Sequence, residues 1–168
     1  MKKVLLSLLV IAIPFQAYSQ YSLKTEYAPW SSSKLCVART VENFIAMLEM
    51  SPSNFESEMQ KVLVNVKVGQ NYCLIAAEQF GSGANYDSPV LIFNKCDDYL
   101  SVDWYGSPTA PSVFMKFMAD IKDHFLQTKD GMRYYGINYE GRDYTFRFKR
   151  FQEQNTMFEM MTIWRVKN

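Results

Sequence analysis

Histidine is nearly absent from this chain of 168 residues, with His124 the single example. That excludes a histidine-rich metal site and leaves any imidazole acid–base chemistry to one ring. Cysteine is scarce as well, at positions 36, 73 and 96, in a spacing that matches no metal module. No sign of charge dominates. The chain has 18 Lys and Arg against 17 Asp and Glu, and leaving out Lys2 and Lys3 gives 16 against 17, or −1. A near-neutral body speaks against a nucleic-acid partner, because that binding needs a basic face to displace counterions. Beyond the N-terminal segment no apolar run approaches the roughly 18 residues of a membrane span, so no stable membrane insertion is expected. Glycine is sparse, and Gly81-Ser82-Gly83 lacks the lysine, the spacing and the following helix of a phosphate loop. No cofactor and no metal is expected.

What the sequence does have begins at its first residues. Lys2 and Lys3 precede an apolar run from Val4 to Phe15, and Ala17-Tyr18-Ser19 places small residues where a signal peptidase reads them. Residues 1–19 are therefore read as a signal peptide and 20–168 as a single domain, starting at or next to Gln20 and destined for the periplasm or secretion. At 48% hydrophobic and 21% charged residues, the chain has the composition of a folded domain rather than a disordered one.

Along the domain, Leu23 and Thr25 alternate with Lys24 and Glu26 and suggest a short edge strand. Ser31-Ser32-Ser33 offers helix caps, and Val37, Val41, Phe44, Ile45 and Leu48 repeat at helical spacing. Ser51-Pro52 stops that helix, and Ser53-Asn54-Phe55-Glu56 has the pattern of a capping box for the next. From Val62 to Val68 the period changes to two, which predicts a strand. Strands follow at 72–78, from Pro89 through Phe93, and at 99–105. Thr109 is placed to cap a helix running to about Gln127, with Phe114, Phe117, Met118, Ile121 and Phe125 inward. Three strands close the chain at 132–139, 143–150 and 157–166. The order predicts an α+β fold. Its antiparallel sheet has about seven strands, a meander of four then three, covered on one face by about three helices.

The candidate residues are weighed against plainer roles. His124 sits beside the buried stripe near a helix end, where a cation suits the dipole; without a positioned nucleophile it is not a site. Asp97-Asp98 fits turn chemistry, and these acids beside Cys96 would raise a thiol pKa rather than lower it. Thr145, Arg147 and Lys149 share one side of a strand whose other side carries Tyr144, Phe146 and Phe148. That basic side, with Arg165, suits an acidic partner or simply the polar outer face of a sheet. If strands 72–78 and 89–95 pair, residues whose numbers sum to about 168 lie opposite. Cys73 then meets residue 95, next to Cys96, so a Cys73–Cys96 disulfide is predicted. Cys36, on its helix stripe, is left as a small buried hydrophobe.

In the same meander, the long loop after residue 79 and the turn after Tyr105 emerge at one rim. It carries Phe80, Asn85, Tyr86, Asp87, Trp104 and Tyr105, aromatic anchors mixed with polar groups. The expectation is an exported small binding protein that acts by occupying a partner protein. An inhibitor or immunity-type protein directed at a toxin or hydrolase is its most concrete form. The alternatives are a periplasmic hydrolase using His124 with a distant carboxylate, and a carrier of a small apolar ligand. No residue is assigned a catalytic role.

Overall fold

Residues 22–27, 35–62, 64–79, 90–109 and 112–167 are described by the computed structural model. The expected signal peptide, residues 1–19, lies outside them, as do residues 80–89. Two strands, β1 (Thr25–Tyr27) and β2 (Leu35–Val37), pair antiparallel as a small separate sheet. Helices α1 (Val41–Glu49) and α2 (Pro52–Lys61) follow, then β3 (Val66–Val68), β4 (Leu74–Gln79), β5 (Val90–Lys95) and β6 (Tyr99–Gly106). A third helix, α3 (Met115–Ile121), leads into β7 (Phe125–Lys129), β8 (Met132–Tyr139), β9 (Arg142–Glu153) and β10 (Thr156–Arg165). These eight strands form one antiparallel sheet in the order β3-β4-β5-β6-β10-β9-β8-β7. It is two four-stranded meanders joined where β10 pairs with β6.

The α+β reading with an antiparallel sheet and three helices holds, but the sheet has eight strands rather than about seven. The extra one is β7. The Phe114-to-Phe125 stripe suggested a helix to about Gln127, whereas α3 ends at Ile121 and a tight turn over Lys122–His124 delivers Phe125 in extended conformation. All five residues of β7 are exposed, so no inside–outside alternation marks it as a strand. Nor does Thr109 cap α3. Ser112 donates its hydroxyl to Glu159 at 2.9 Å, which holds the chain outside the helix until Phe114.

The first helix is also shorter than its stripe. Val37 and Cys36 belong to β2, held opposite β1 partly by the Arg39–Glu26 ion pair at 2.6 Å. Thr40, not a serine of the 31–33 run, caps α1 by accepting from the Asn43 N–H. The Asn43 side chain is itself saturated: it accepts from the Lys24 N–H and donates to the Lys24 and Ala38 carbonyls, tying the N-terminal segment to α1. Ser51 rather than Ser53 caps α2, with Pro52 in the first turn, where its missing N–H costs nothing. The expected 62–68 strand begins only at Val66, because Val62 and Val64 both donate to the Met59 carbonyl and close the helix end.

Alternation then sorts side chains between two faces. On the inner face, Leu91–Trp104–Glu159–Arg150, Phe93–Val102–Met161–Phe148 and Lys95–Leu100–Ile163–Phe146 lie opposite one another across β5, β6, β10 and β9. Helical aromatics pack onto these rows, Phe114 on Phe148 at 5.9 Å and Phe117 on Phe146 at 5.6 Å, with Phe44 edge-on to Phe117. One buried cation joins the layers: Lys95 donates to the Leu48 carbonyl at 2.8 Å, at the C-terminal end of α1. Burial holds that ammonium below its usual pKa, opposed by the charges of Asp97 and Glu49.

Cys73 and Cys96 form a disulfide, with Cα atoms 4.4 Å apart. The β4–β5 register pairs Leu74 with Lys95, so the pairing sum is 169 and the two cysteines extend that ladder by one step. Cys36 lies outside the disulfide and is buried, as expected, though on a strand, with its sulfur 3.6 Å from Arg39 Nη1.

Candidate functional site

The expected partner rim divides on inspection. Phe80, Asn85, Tyr86 and Asp87 lie outside the described residues. Their flanking positions are informative: Gln79 pairs with Val90, and Val90 with Tyr105. Gln79 and Val90 thus lie at the end of the sheet where Tyr105 sits. Trp104 does not share that surface. It is 0% exposed on the inner face, with its ring against Gly106. Adjacent residues of a strand point to opposite faces, so Trp104 and Tyr105 cannot both serve one surface.

Tyr105 is half-buried on the outer face and meets Phe158 edge-on at 5.2 Å; Phe158 stacks on Phe151 at 5.0 Å. Lys149 lies over the Phe151 ring at 5.1 Å. The next row is Ile92–Asp103–Met160–Lys149, with Met160 exposed, and the one after is Asn94–Ser101–Thr162–Arg147. Arg147 donates to the Thr162 hydroxyl at 3.1 Å and lies 5.9 Å from the Trp164 ring centre. Burial raises the pKa of Asp103, against hydrogen bonds from Ser101 at 2.9 Å and Asn94 at 3.2 Å. Its other carboxylate oxygen has no hydrogen-bond partner. Burial and the nearby Asp103 charge also raise the Tyr105 phenol. This face can offer flat aromatic contact, two cations and a polar row.

A second feature escaped the sequence reading. A cleft of about 580 Å³ lies between residues 112–118 and the β9–β10 end of the sheet, lined by Ser112, Met115, Met118, Phe148, Arg150 and Glu159, with Arg133 also on its wall. Glu159 is 0% exposed. It accepts from the Ser112 hydroxyl, and the nearby Val113 and Phe114 backbone also favours its charged form, yet burial outweighs these and the Arg150 charge and raises its pKa. Its Oε1 has no hydrogen bond, and the nearest cation, Arg150 Nε, stands 3.4 Å away. The signal was present in the strand: in Met157-Phe158-Glu159-Met160-Met161-Thr162-Ile163 the inward phase contains one acid among apolar residues.

His124 is exposed in the turn after α3 and does not line this cleft, so the two are not assembled as an acid–base pair. Among the described residues no three His, Cys, Asp or Glu side chains group as metal ligands, and no helix is long and apolar enough to cross a membrane. Comparison with protein-family models, with curated proteins and with solved structures found no match.

Proposed function

We propose that this is an exported binding protein that acts by occupying a partner protein, in the manner of a periplasmic inhibitor or immunity protein, and that it does so through the outer face of β6, β10 and β9. The observation that supports this reading is the half-exposed Tyr105–Phe158–Phe151 aromatic series, with Lys149 above it, at the sheet end where Val90 pairs with Tyr105. Rigid aromatics beside a cation supply contact area at low conformational cost. The inner face is filled by aromatics from helices and sheet, which leaves the outer face as the larger surface for recognition. Phe80, Asn85, Tyr86 and Asp87 are proposed to complete the rim.

The test is capture from exported proteins with the 20–168 chain as bait, followed by binding measurements on the purified partner. Tyr105→Ala and Phe158→Ala are each expected to weaken binding by about 1–2 kcal/mol, whereas Lys116→Ala, on exposed α3, is expected to leave it unchanged. Full-strength binding by the Tyr105/Phe158 double variant refutes the placement.

A further inference from the structure

We propose that the cleft between residues 112–118 and the β9–β10 end of the sheet is a binding site for a small amphipathic carboxylate. This site is independent of the outer face. Its volume, about 580 Å³, lies in the range of small-molecule sites. Its wall has two halves. Met115, Met118 and Phe148 are apolar, and Met115 is exposed although it is large and hydrophobic. Arg133, Arg150, Ser112 and Glu159 are polar. Lys149 also lines the cleft, while its ammonium lies over Phe151.

The ligand's charge follows from the guanidiniums on the wall. Arg133 and Arg150 both line the cleft, against the single acid Glu159. Glu159 already accepts from the Ser112 hydroxyl and stands 3.4 Å from Arg150 Nε, so it offsets at most one of the two cations. A ligand carboxylate meets the guanidiniums of Arg150 and Arg133 together, whereas a cationic ligand would meet net repulsion. An alkyl or aryl tail then covers the methionines, whose flexible thioethers accommodate varied shapes.

Octanoate is a suitable probe, with octanol and octyltrimethylammonium as matched controls, titrated calorimetrically into the 20–168 chain at physiological salt. Saturable octanoate binding is expected, at least about tenfold tighter than either control, since a charge-assisted hydrogen bond is worth about 1.5–3 kcal/mol. Labelled Met115 and Met118 methyl resonances are expected to shift on titration. Arg133→Glu, on an exposed side chain, is expected to weaken octanoate binding at least about tenfold with an unchanged melting temperature. Glu159→Gln keeps the shape and removes the one acid, so it is expected not to weaken octanoate binding. No saturable binding overturns the proposal. So does equal binding of octanoate and octanol, or octanoate binding that is indifferent to Arg133→Glu and leaves the two methionines unmoved.

Discussion

Reducing the Cys73–Cys96 disulfide isolates one contribution to stability whose size follows from the chain. The bridge closes a loop with a sequence separation of 23. In the chain-entropy description, cross-linking removes about 2.1 + 1.5R ln n cal/mol/K from the unfolded ensemble, or about 3.4 kcal/mol at 25 °C for a loop of this length. The native state supplies little to offset that figure, because Leu74 and Lys95 are already paired one step inside the bridge and both cysteines sit where the ladder puts them. For a domain of this size, each kcal/mol moves the melting temperature by about 2–4 °C, so the expected loss is about 7–14 °C. The assay is urea and thermal unfolding of the 20–168 chain in Cys36→Ala background, with and without reductant. That background removes the buried Cys36 thiol and any exchange through it. Cys73→Ser/Cys96→Ser should match the reduced protein. A loss under about 1 kcal/mol would refute the reasoning, and would mean that the unfolded β4–β5 segment is already constrained without the bridge.

Other consequences are as direct. Gly106→Ala places a methyl group against the Trp104 ring, which is fully buried and has no room to move, so a loss of about 1–3 kcal/mol is expected in chemical denaturation. Burial raises the Asp103 pKa in the folded state, so its contribution is full below the unfolded pKa and is lost as pH rises through the folded one. Asp103→Asn, which does not titrate, is expected to gain on the wild type between acid and neutral pH; a constant difference in pH-dependent unfolding would contradict this. Glu58 runs the other way. Burial would raise its pKa, but Lys61 and the Leu23 N–H together lower it, so Glu58→Gln is expected to cost most at neutral pH and progressively less on acidification. Mass spectrometry of the exported protein is expected to find an N-terminus at or next to Gln20, and Met1 retained in the mature pool would contradict export by cleavage.

The legible parts of this fold are those in which local pattern and tertiary role agree. Strands 132–139, 143–150 and 157–166 were read almost to their observed ends, because apolar residues alternate there and two-residue loops mark the turns. Asp130-Gly131 and Glu140-Gly141 both take the left-handed conformations that tight hairpins need. The disulfide was legible because pairing register is arithmetic once two strands and their loop are placed. The errors came from long-range contacts. A stripe of apolar residues at helical spacing continued through Val37 and through Phe125, and in both cases the chain is extended. At Val37 the backbone is paired with β1, and the Glu26–Arg39 ion pair helps hold the two strands together. At Phe125 the backbone is taken up by β8, with Phe125 edge-on to Tyr135 at 5.8 Å. Trp104 could be read either as core or as part of the rim, and its inward phase is settled by β6 lying in the middle of the sheet.

Both proposed surfaces depend on the alternation of one strand. In β10, Glu159, Met161 and Ile163 point inward, and Phe158, Met160, Thr162 and Trp164 outward. A slip of one residue would exchange the two sets. It would put the Glu159 carboxyl among outer-face aromatics and drive Trp164 against the helices. The register is fixed instead by bulk on both neighbours: Trp104 lies opposite Glu159 on β6, and Phe148 opposite Met161 on β9. The residue that looks misplaced, an acid in the inward phase of a core strand, occurs where the sheet ends and the 112–114 segment can meet it with the Ser112 hydroxyl. One step further along β10 that segment is out of reach, and Met161 is apolar. The acid is therefore confined to the single inward position of β10 at which donors and a cleft coincide, while the outward residues beside it, Phe158 and Met160, remain available to a partner. A ligand in the cleft and a protein on the outer face would then contact opposite sides of the same three residues, Phe158 to Met160. Tight binding of octanoate should accordingly leave partner affinity unchanged unless it moves β10 itself, which makes the two sites separable by one competition measurement.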